Sequence, residues 1–154
     1  MNPPTPDRVH RHPIRVYFED TDAGGMAYHA NYLRWAERAR TESLRVLGLP
    51  HQDMIARHNT LLVVRRVEVE YWRPARLDDS LVVETAILRV TGAQIGLDQT
   101  VRHAPGGEEH EALSRLRVGL VAVDRTSLKP VPIPEPWRST LRGLVAASEP
   151  PGQR

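Results

Sequence analysis

The chain has 154 residues, 40% of them hydrophobic and 26% charged, with a net charge of +2. That composition suits one soluble domain able to bury about 70% of the surface its unfolded chain exposes. There is no cysteine, which excludes disulfides, thiolate catalysis and Cys-based zinc sites.

No run approaches the ~20 apolar residues of a membrane span. The start, MNPPTPDRVHRHP, has no apolar core of a secretory signal. The expectation is therefore a cytoplasmic protein without stable membrane insertion. Lys129 is the only lysine, and the arginines are spread along the chain, so no nucleic-acid binding is expected.

Residues 1–12 are rich in Pro and polar side chains and read as a mobile tail. Pro13–Phe18 alternates apolar and polar residues and predicts a short strand. The following stretch, EDTDAGGMAYHANY, puts Glu19, Asp20 and Asp22 within four residues, then Gly24 and Gly25.

From about Ala30 to Leu47 there is neither Gly nor Pro. Leu33, Ala36, Leu44 and Leu47 recur at helical spacing, and Tyr32, Trp35 and Ala39 widen the apolar face. Glu37 with Arg40, and Glu42 with Arg45, are spaced to pair one turn apart. Gly48-Leu49-Pro50 ends the helix.

Four strands follow. Leu61–Trp72 starts as an apolar run and then alternates Val67, Val69 and Tyr71 with Glu68, Glu70 and Trp72. PARLDD turns the chain into Leu81–Val90. Thr91-Gly92 turns it into Gln94–His103, and Pro105-Gly106-Gly107 into His110–Val123. Short turns between such strands predict an antiparallel meander. Pro130, Pro132, Pro134 and Pro136 rule out further regular pairing, and a short helix near Pro136–Val145 completes a single domain over 13–145. Residues 146–154, AASEPPGQR, read as a disordered tail. Strand, long helix and four strands predict an α+β fold, a helix lying on one face of a curled sheet.

The acidic, glycine-containing stretch admits several readings. Asp20, Asp22 and Gly25 fit positions one, three and six of a calcium loop, but position twelve is Asn31 instead of Glu. A phosphate loop would need Gly-Lys-Ser/Thr, which is missing. Helix capping explains one carboxylate ahead of a helix. It does not explain two glycines between that carboxylate and the helix, or Tyr28 and His29 at the entry. An active site uses the same physics: free N–H groups at a helix start hold an oxyanion. A nearby carboxylate then serves as nucleophile or general base.

The segment VYFEDTDAGGMAYHANYLRWAERARTESLRVLGL resembles the signature of the hotdog-fold acyl-CoA thioesterases. It is most similar to the YbgC (Tol-Pal-associated) branch, relatives of 4-hydroxybenzoyl-CoA thioesterase. The family pattern, Asp-x-Asp-x-x-Gly-x-x-Tyr-His-x-x-Tyr, falls on Asp20, Asp22, Gly25, Tyr28, His29 and Tyr32. The likeness continues through VVRRVEVEYWRPARLDDSLVVET and VDRTSLKPVPIP. It departs at Met26-Ala27, where Val-Val is usual, and at Thr91-Gly92-Ala93-Gln94, where relatives often carry Arg-Gly-Thr-Ser near the CoA arm.

The resemblance implies a hotdog fold, about five antiparallel strands curled around one long helix. It implies hydrolysis of a small or medium acyl-CoA, with Asp22 as nucleophile or general base and the His29 backbone N–H as oxyanion donor. Asp20 would be structural. Gly25, Tyr28, Tyr32, Val64, Arg65 and Gly92 are the expected substrate contacts, with no metal and no cofactor. A homodimer or tetramer with sites at the subunit interface is expected, and an acyl-carrier protein is a further candidate partner. A hotdog module that binds acyl-CoA or acyl-carrier protein without turnover is the alternative, and a hotdog dehydratase a third.

If the strand alternates there, Arg65 and Arg66 point to opposite faces; an ion pair to Glu68 or Glu70 is the plain role, and a contact to CoA phosphate or a place at the dimer seam the functional one. Trp35 is expected in the core, and Trp72 and Trp137 in packing or an interface. His10, His12, His51, His58, His103 and His110 lack metal-ligand spacing and read as surface or tail residues.

Overall fold

Strand alternation sorts the side chains of one antiparallel sheet into an apolar face and a charged face, and the long helix lies on the apolar one. The computed structural model describes residues 8–145. In chain order it contains β1 (Val9–Arg15), α1 (Asn31–Val46), α2 (His51–His58), β2 (Thr60–Tyr71), β3 (Ser80–Val90), β4 (Gln94–His103), β5 (Ala112–Asp124) and α3 (Trp137–Gly143). One 3-10 turn, Phe18–Asp20, precedes α1. The sheet order is β1-β3-β4-β5-β2, antiparallel throughout. β1 and β2 are therefore its two edges.

The covered face carries Leu81, Val83 and Ile87 from β3, Ile95, Leu97 and Val101 from β4, and Leu116, Val118 and Leu120 from β5, all buried. Against them α1 buries Trp35, Ala36, Ala39 and Leu44. Each large side chain so removed from water stabilises the fold by about 1.5–3 kcal/mol. The polar residues Gln99 and Thr85 sit in this layer because they bond each other. Gln99 is fully buried, and its amide donates to the Ala36 carbonyl and to the Thr85 hydroxyl, both at 2.9 Å.

The helix stops as expected. Gly48 adopts φ +74°, which a side chain would disfavour. The Gly48 N–H bonds the Arg45 carbonyl and the Leu49 N–H the Leu44 carbonyl, a Schellman closure. Trp137 on α3 is fully buried and donates its indole N–H to the Leu49 carbonyl at 2.9 Å, locking α3 over that closure.

Several expectations are corrected. The four-strand meander is a meander of three, β3-β4-β5; β2 does not pair with β3, and the chain crosses over so that β2 pairs with β5 at the far edge. The tail expected over 1–12 ends earlier: Val9–His12 belong to β1 and pair with Ala86–Val83 of β3. The rest of that tail, 1–7, and the tail 146–154 lie outside the described residues. β1 correspondingly stops at Arg15, because Tyr17 leads into the 3-10 turn. Helix α2 occupies a stretch that had no assigned element. The regular alternation that would set Arg65 and Arg66 on opposite faces is absent: a bulge between Val64 and Arg66 interrupts the register, and both side chains are exposed. Arg66 does pair with Glu68. On α1, Glu42 and Arg45 pair at 3.3 Å, whereas Glu37 accepts from the Thr41 hydroxyl and Arg40 turns inward to Gln99. His10, His12, His51 and His110 are half-buried, whereas His58 and His103 are exposed as expected.

Candidate functional site

The stretch before α1 is a tight, self-bonded loop. The Gly25 N–H bonds the Asp22 carbonyl at 3.0 Å, and the Asp22 N–H bonds the Met26 carbonyl at 2.9 Å. Gly25 stands at φ +78°, so a residue with free access to the left-handed region closes this turn. Gly24 serves differently. Its N–H donates to Asp22 Oδ1 at 2.9 Å, and a Cβ there would stand 3.2 Å from that oxygen. The glycine thus lets the carboxylate fold back over the turn and fixes one of its two oxygens. The loop is tied to the rest of the chain by Ala27, whose N–H bonds the Ala75 carbonyl at 2.8 Å.

Asp20 has a different task. Its carboxylate accepts the Tyr17 N–H at 2.8 Å, and its carbonyl accepts both the Tyr28 N–H at 2.8 Å and the Asn31 side-chain amide at 2.7 Å. Asn31 is 3% exposed, and its own N–H bonds the Tyr28 carbonyl at 2.9 Å. That carbonyl shares a peptide plane with the His29 N–H. Asn31 and Asp20 therefore set the direction in which the His29 N–H points. Among the described residues, that N–H has no acceptor within the chain.

The His29 carbonyl is held from the other side. The Tyr71 hydroxyl donates to it at 2.8 Å. Part-burial, and to a lesser degree neighbouring Tyr32, push the Tyr71 phenol up, so it keeps its proton and remains a donor. Tyr32, its own phenol also raised by burial, accepts the Ala75 N–H at 3.0 Å and meets the Tyr71 ring edge-on at 5.2 Å.

These groups line one open cleft of about 320 Å³. Asp22, His29 and Tyr32 line it together with Tyr71, Trp72 and Arg73. An exposed carboxylate and a free backbone donor thus face a common space large enough for a reacting carbonyl, the pairing needed for acyl transfer without Ser, Cys or metal.

The other expected residues fall in several places. Gly25 shapes the turn and does not line the cleft; Tyr28 is exposed and packs its ring on His29 at 4.5 Å. Val64 and Arg65 stand about seven residues up β2 from Tyr71, roughly 20 Å away at strand spacing. Gly92 lies in the β3–β4 turn, where its carbonyl accepts the Ile133 N–H at 2.8 Å. By the sheet register, that turn is at the Leu62–Val63 end of the sheet, opposite Tyr71. Within one chain, then, Val64, Arg65 and Gly92 do not join Asp22 and His29. Sequence reasoning did not single out Tyr71, Arg73 or Asn31 as site residues. Tyr71 continues the apolar alternation of Val67 and Val69 along β2, which was the available signal. Asn31 carries only the weak signal of an amide at a helix start.

A family model described as the thioesterase-like superfamily matches residues 16–141. The chain is similar to the acyl-CoA thioester hydrolase YbgC of Escherichia coli, 42% identical over 81% of this chain and 90% of that protein. It is also similar to the acyl-CoA thioesterase YbgC of Haemophilus influenzae, 39% identical over 86% of this chain and 93% of that one. Among solved structures, a probable thioesterase from Bartonella henselae matches with a TM-score of 0.75 and 32% identity, covering 82% of this chain and 99% of that chain.

Proposed function

The chain belongs to the thioesterase-like superfamily, and from that premise we propose that it hydrolyses acyl-CoA thioesters to the free acid and CoA, using Asp22 and the His29 N–H. The observation that carries this reading is their meeting in one cleft, the carboxylate held over its turn by Gly24 and the N–H left without an acceptor. The names of the relatives, acyl-CoA thioester hydrolase and acyl-CoA thioesterase, support the substrate class.

The thioester carbonyl oxygen takes the His29 N–H, which strengthens as negative charge grows on that oxygen. Asp22 then acts by one of two routes. As nucleophile, its oxygen bonds the carbonyl carbon, the C–S bond breaks, and CoA thiolate leaves. Water then cleaves the resulting anhydride and restores the carboxylate. As general base, Asp22 takes a proton from water while that water attacks the carbonyl, and the C–S bond breaks with CoA as leaving group. Both routes end at acid, thiol and free Asp22.

A homodimer joined at β2 completes the site. β2 is a 12-residue edge strand. Val64 and Tyr71, together with Trp72 just beyond it, are 50%, 46% and 50% exposed, an apolar edge that a second copy would cover. A two-fold axis across antiparallel β2 edges sets the Val64–Arg65 end of one copy against the Tyr71 end of the other. The residues that one chain keeps apart, Val64, Arg65 and Gly92, would then reach the other copy's cleft.

The test is free-thiol release across a series of acyl-CoA chain lengths, with wild-type protein and Asp22→Asn. Release by the wild type that falls at least a thousandfold in the variant, with unchanged melting and oligomeric state, is the expected result. Near-wild-type turnover in Asp22→Asn sinks the assignment, and CoA binding without release from any thioester points to a non-catalytic binding module.

A further inference from the structure

A second cavity lies between α1 and the covered face of the sheet. Its volume is about 130 Å³, and its walls include Leu44, Leu62, Val64, Ile87, Leu97 and Leu120. Glu37, Arg40, Thr41 and His51 stand on the same walls. A polar side of this kind in an apolar cavity selects ligands by what they carry at the matching position.

Arg40 is the informative member. It is only partly exposed, and burial pushes its guanidinium down from the usual arginine value, opposed by Glu37. A guanidinium has five N–H donors. Among the described residues Arg40 uses them in one bond, Nη1 to Gln99 Oε1 at 3.0 Å, and has no ion pair. Glu37 is engaged by the Thr41 hydroxyl at 3.0 Å. Burial also pushes the His51 imidazole down, which keeps it neutral near pH 7 and adds no second cation. The chain thus holds a partly dehydrated cation with unused donors at an apolar cavity, an arrangement that an incoming acceptor completes.

The cavity does not connect to the Asp22 cleft within the chain. Arg40 is nine residues along α1 from Asn31, about 14 Å, and the intervening Tyr32 and Trp35 are 3% and 1% exposed. It does reach the β2 edge through Leu62 and Val64. That is the end of β2 which the two-fold pairing above sets against the cleft of a second copy.

We propose that this cavity receives the far end of the acyl group bound in the partner copy's cleft, and that Arg40 selects acyl groups ending in a carboxylate. The inference rests on the acyl-CoA and dimer readings given above. A cavity of roughly 150 Å³ accepts benzene, so this one suits about four to six heavy atoms beyond the carbonyl. Carboxylate is the matching end group because its paired oxygens meet the arginine fork in charge-assisted bonds.

Binding decides the matter separately from turnover. Calorimetry on Asp22→Asn protein compares glutaryl-CoA with hexanoyl-CoA, close in length and different in end group. It is repeated after Arg40→Met, which keeps an unbranched apolar stem and removes the guanidinium and its charge. Glutaryl-CoA should bind roughly ten- to a hundredfold more tightly, and Arg40→Met should reverse the order. Equal affinities, or a preference that survives Arg40→Met, overturns the proposal; the first comparison stands even if Arg40→Met does not fold. Thiol release by otherwise wild-type protein is measured alongside. A glutaryl preference in binding with no release of any thiol leaves the Arg40 inference standing and overturns the hydrolase reading instead.

Discussion

Replacing Asn31 by alanine separates the bonds that hold the start of α1 from the use the cleft makes of them. The side chain makes two bonds, Nδ2 to the Asp20 carbonyl at 2.7 Å and Oδ1 from Arg34 Nη1 at 3.0 Å. The first is part-buried and contributes about 1 kcal/mol net, and the second, to an exposed arginine, at most ~1 kcal/mol. The Asp20 carbonyl is not orphaned, because the Tyr28 N–H still reaches it. The expected loss of stability is therefore about 1–2 kcal/mol, or roughly 2–8 °C in Tm for a domain of this size. The catalytic loss should be larger in proportion. Removing an oxyanion donor outright costs about 100- to 1000-fold in kcat. Here the N–H of His29 remains but loses part of the clamp that aims it, so kcat should fall about ten- to a hundredfold with little change in KM. Differential scanning calorimetry and thiol release on the same preparation measure both. A lower Tm with wild-type kcat would refute the claim that Asn31 aims the donor. An unchanged Tm would refute the claim that its bond to Asp20 supports the fold.

Two further outcomes follow from packing and burial. Trp137→Phe leaves the Leu49 carbonyl without its indole donor and a small void beside α3, so urea unfolding should show a loss of about 2–4 kcal/mol; less than ~1 kcal/mol would refute the role of that bond. His10 and His51 are pushed below their ordinary value chiefly by burial, His10 also by neighbouring His12. A histidine that binds protons less readily when folded leaves stability intact above the unfolded value of about 6.5 and erodes it as pH falls. Tm should therefore drop from pH 7 toward pH 5 and drop less in His51→Gln; a variant with the same acid slope as wild type would show that His51 contributes nothing to it.

How much was legible in the sequence depended on the range of the physics involved. The long helix, its stop at Gly48 and the three consecutive strands β3-β4-β5 follow from local periodicity and turn chemistry, and β4 stands at its expected bounds; that β2 leaves this run to pair with β5 is a long-range choice no local pattern carries. Strand β1 was misplaced because His10 and His12 look polar in the sequence, yet they pair in register with Thr85 and Val83. Their membership depends on a partner strand more than seventy residues away. Arg65 and Arg66 failed for a related reason: a bulge is a two-strand property, and nothing in VVRRV announces it. Within the site, the resemblance set Asp20 apart from Asp22, and the two carboxylates do differ in their bonds, while the clamp by Asn31 and the Tyr71 bond to the His29 carbonyl are contacts without a local signature.

The placement of Val64, Arg65 and Gly92 carries the argument one step further. Their expected role was substrate contact, yet they stand at the end of the sheet away from Asp22. The same end bears the mouth of the Arg40 cavity and an exposed apolar strand edge. On the proposed reading a single chain has two half-sites at opposite ends of β2, one with Asp22 and the His29 N–H and one with the Arg40 cavity. Only an operation that exchanges the ends of β2 joins them, and a two-fold axis normal to an antiparallel strand pair does that. Two complete sites would form at once, each with Asp22 and His29 from one copy and Val64 and Arg40 from the other. Dimerisation would on this reading be a condition of acyl binding and not only of stability, because a separated chain retains its carboxylate and its donor but has nowhere to put the acyl group.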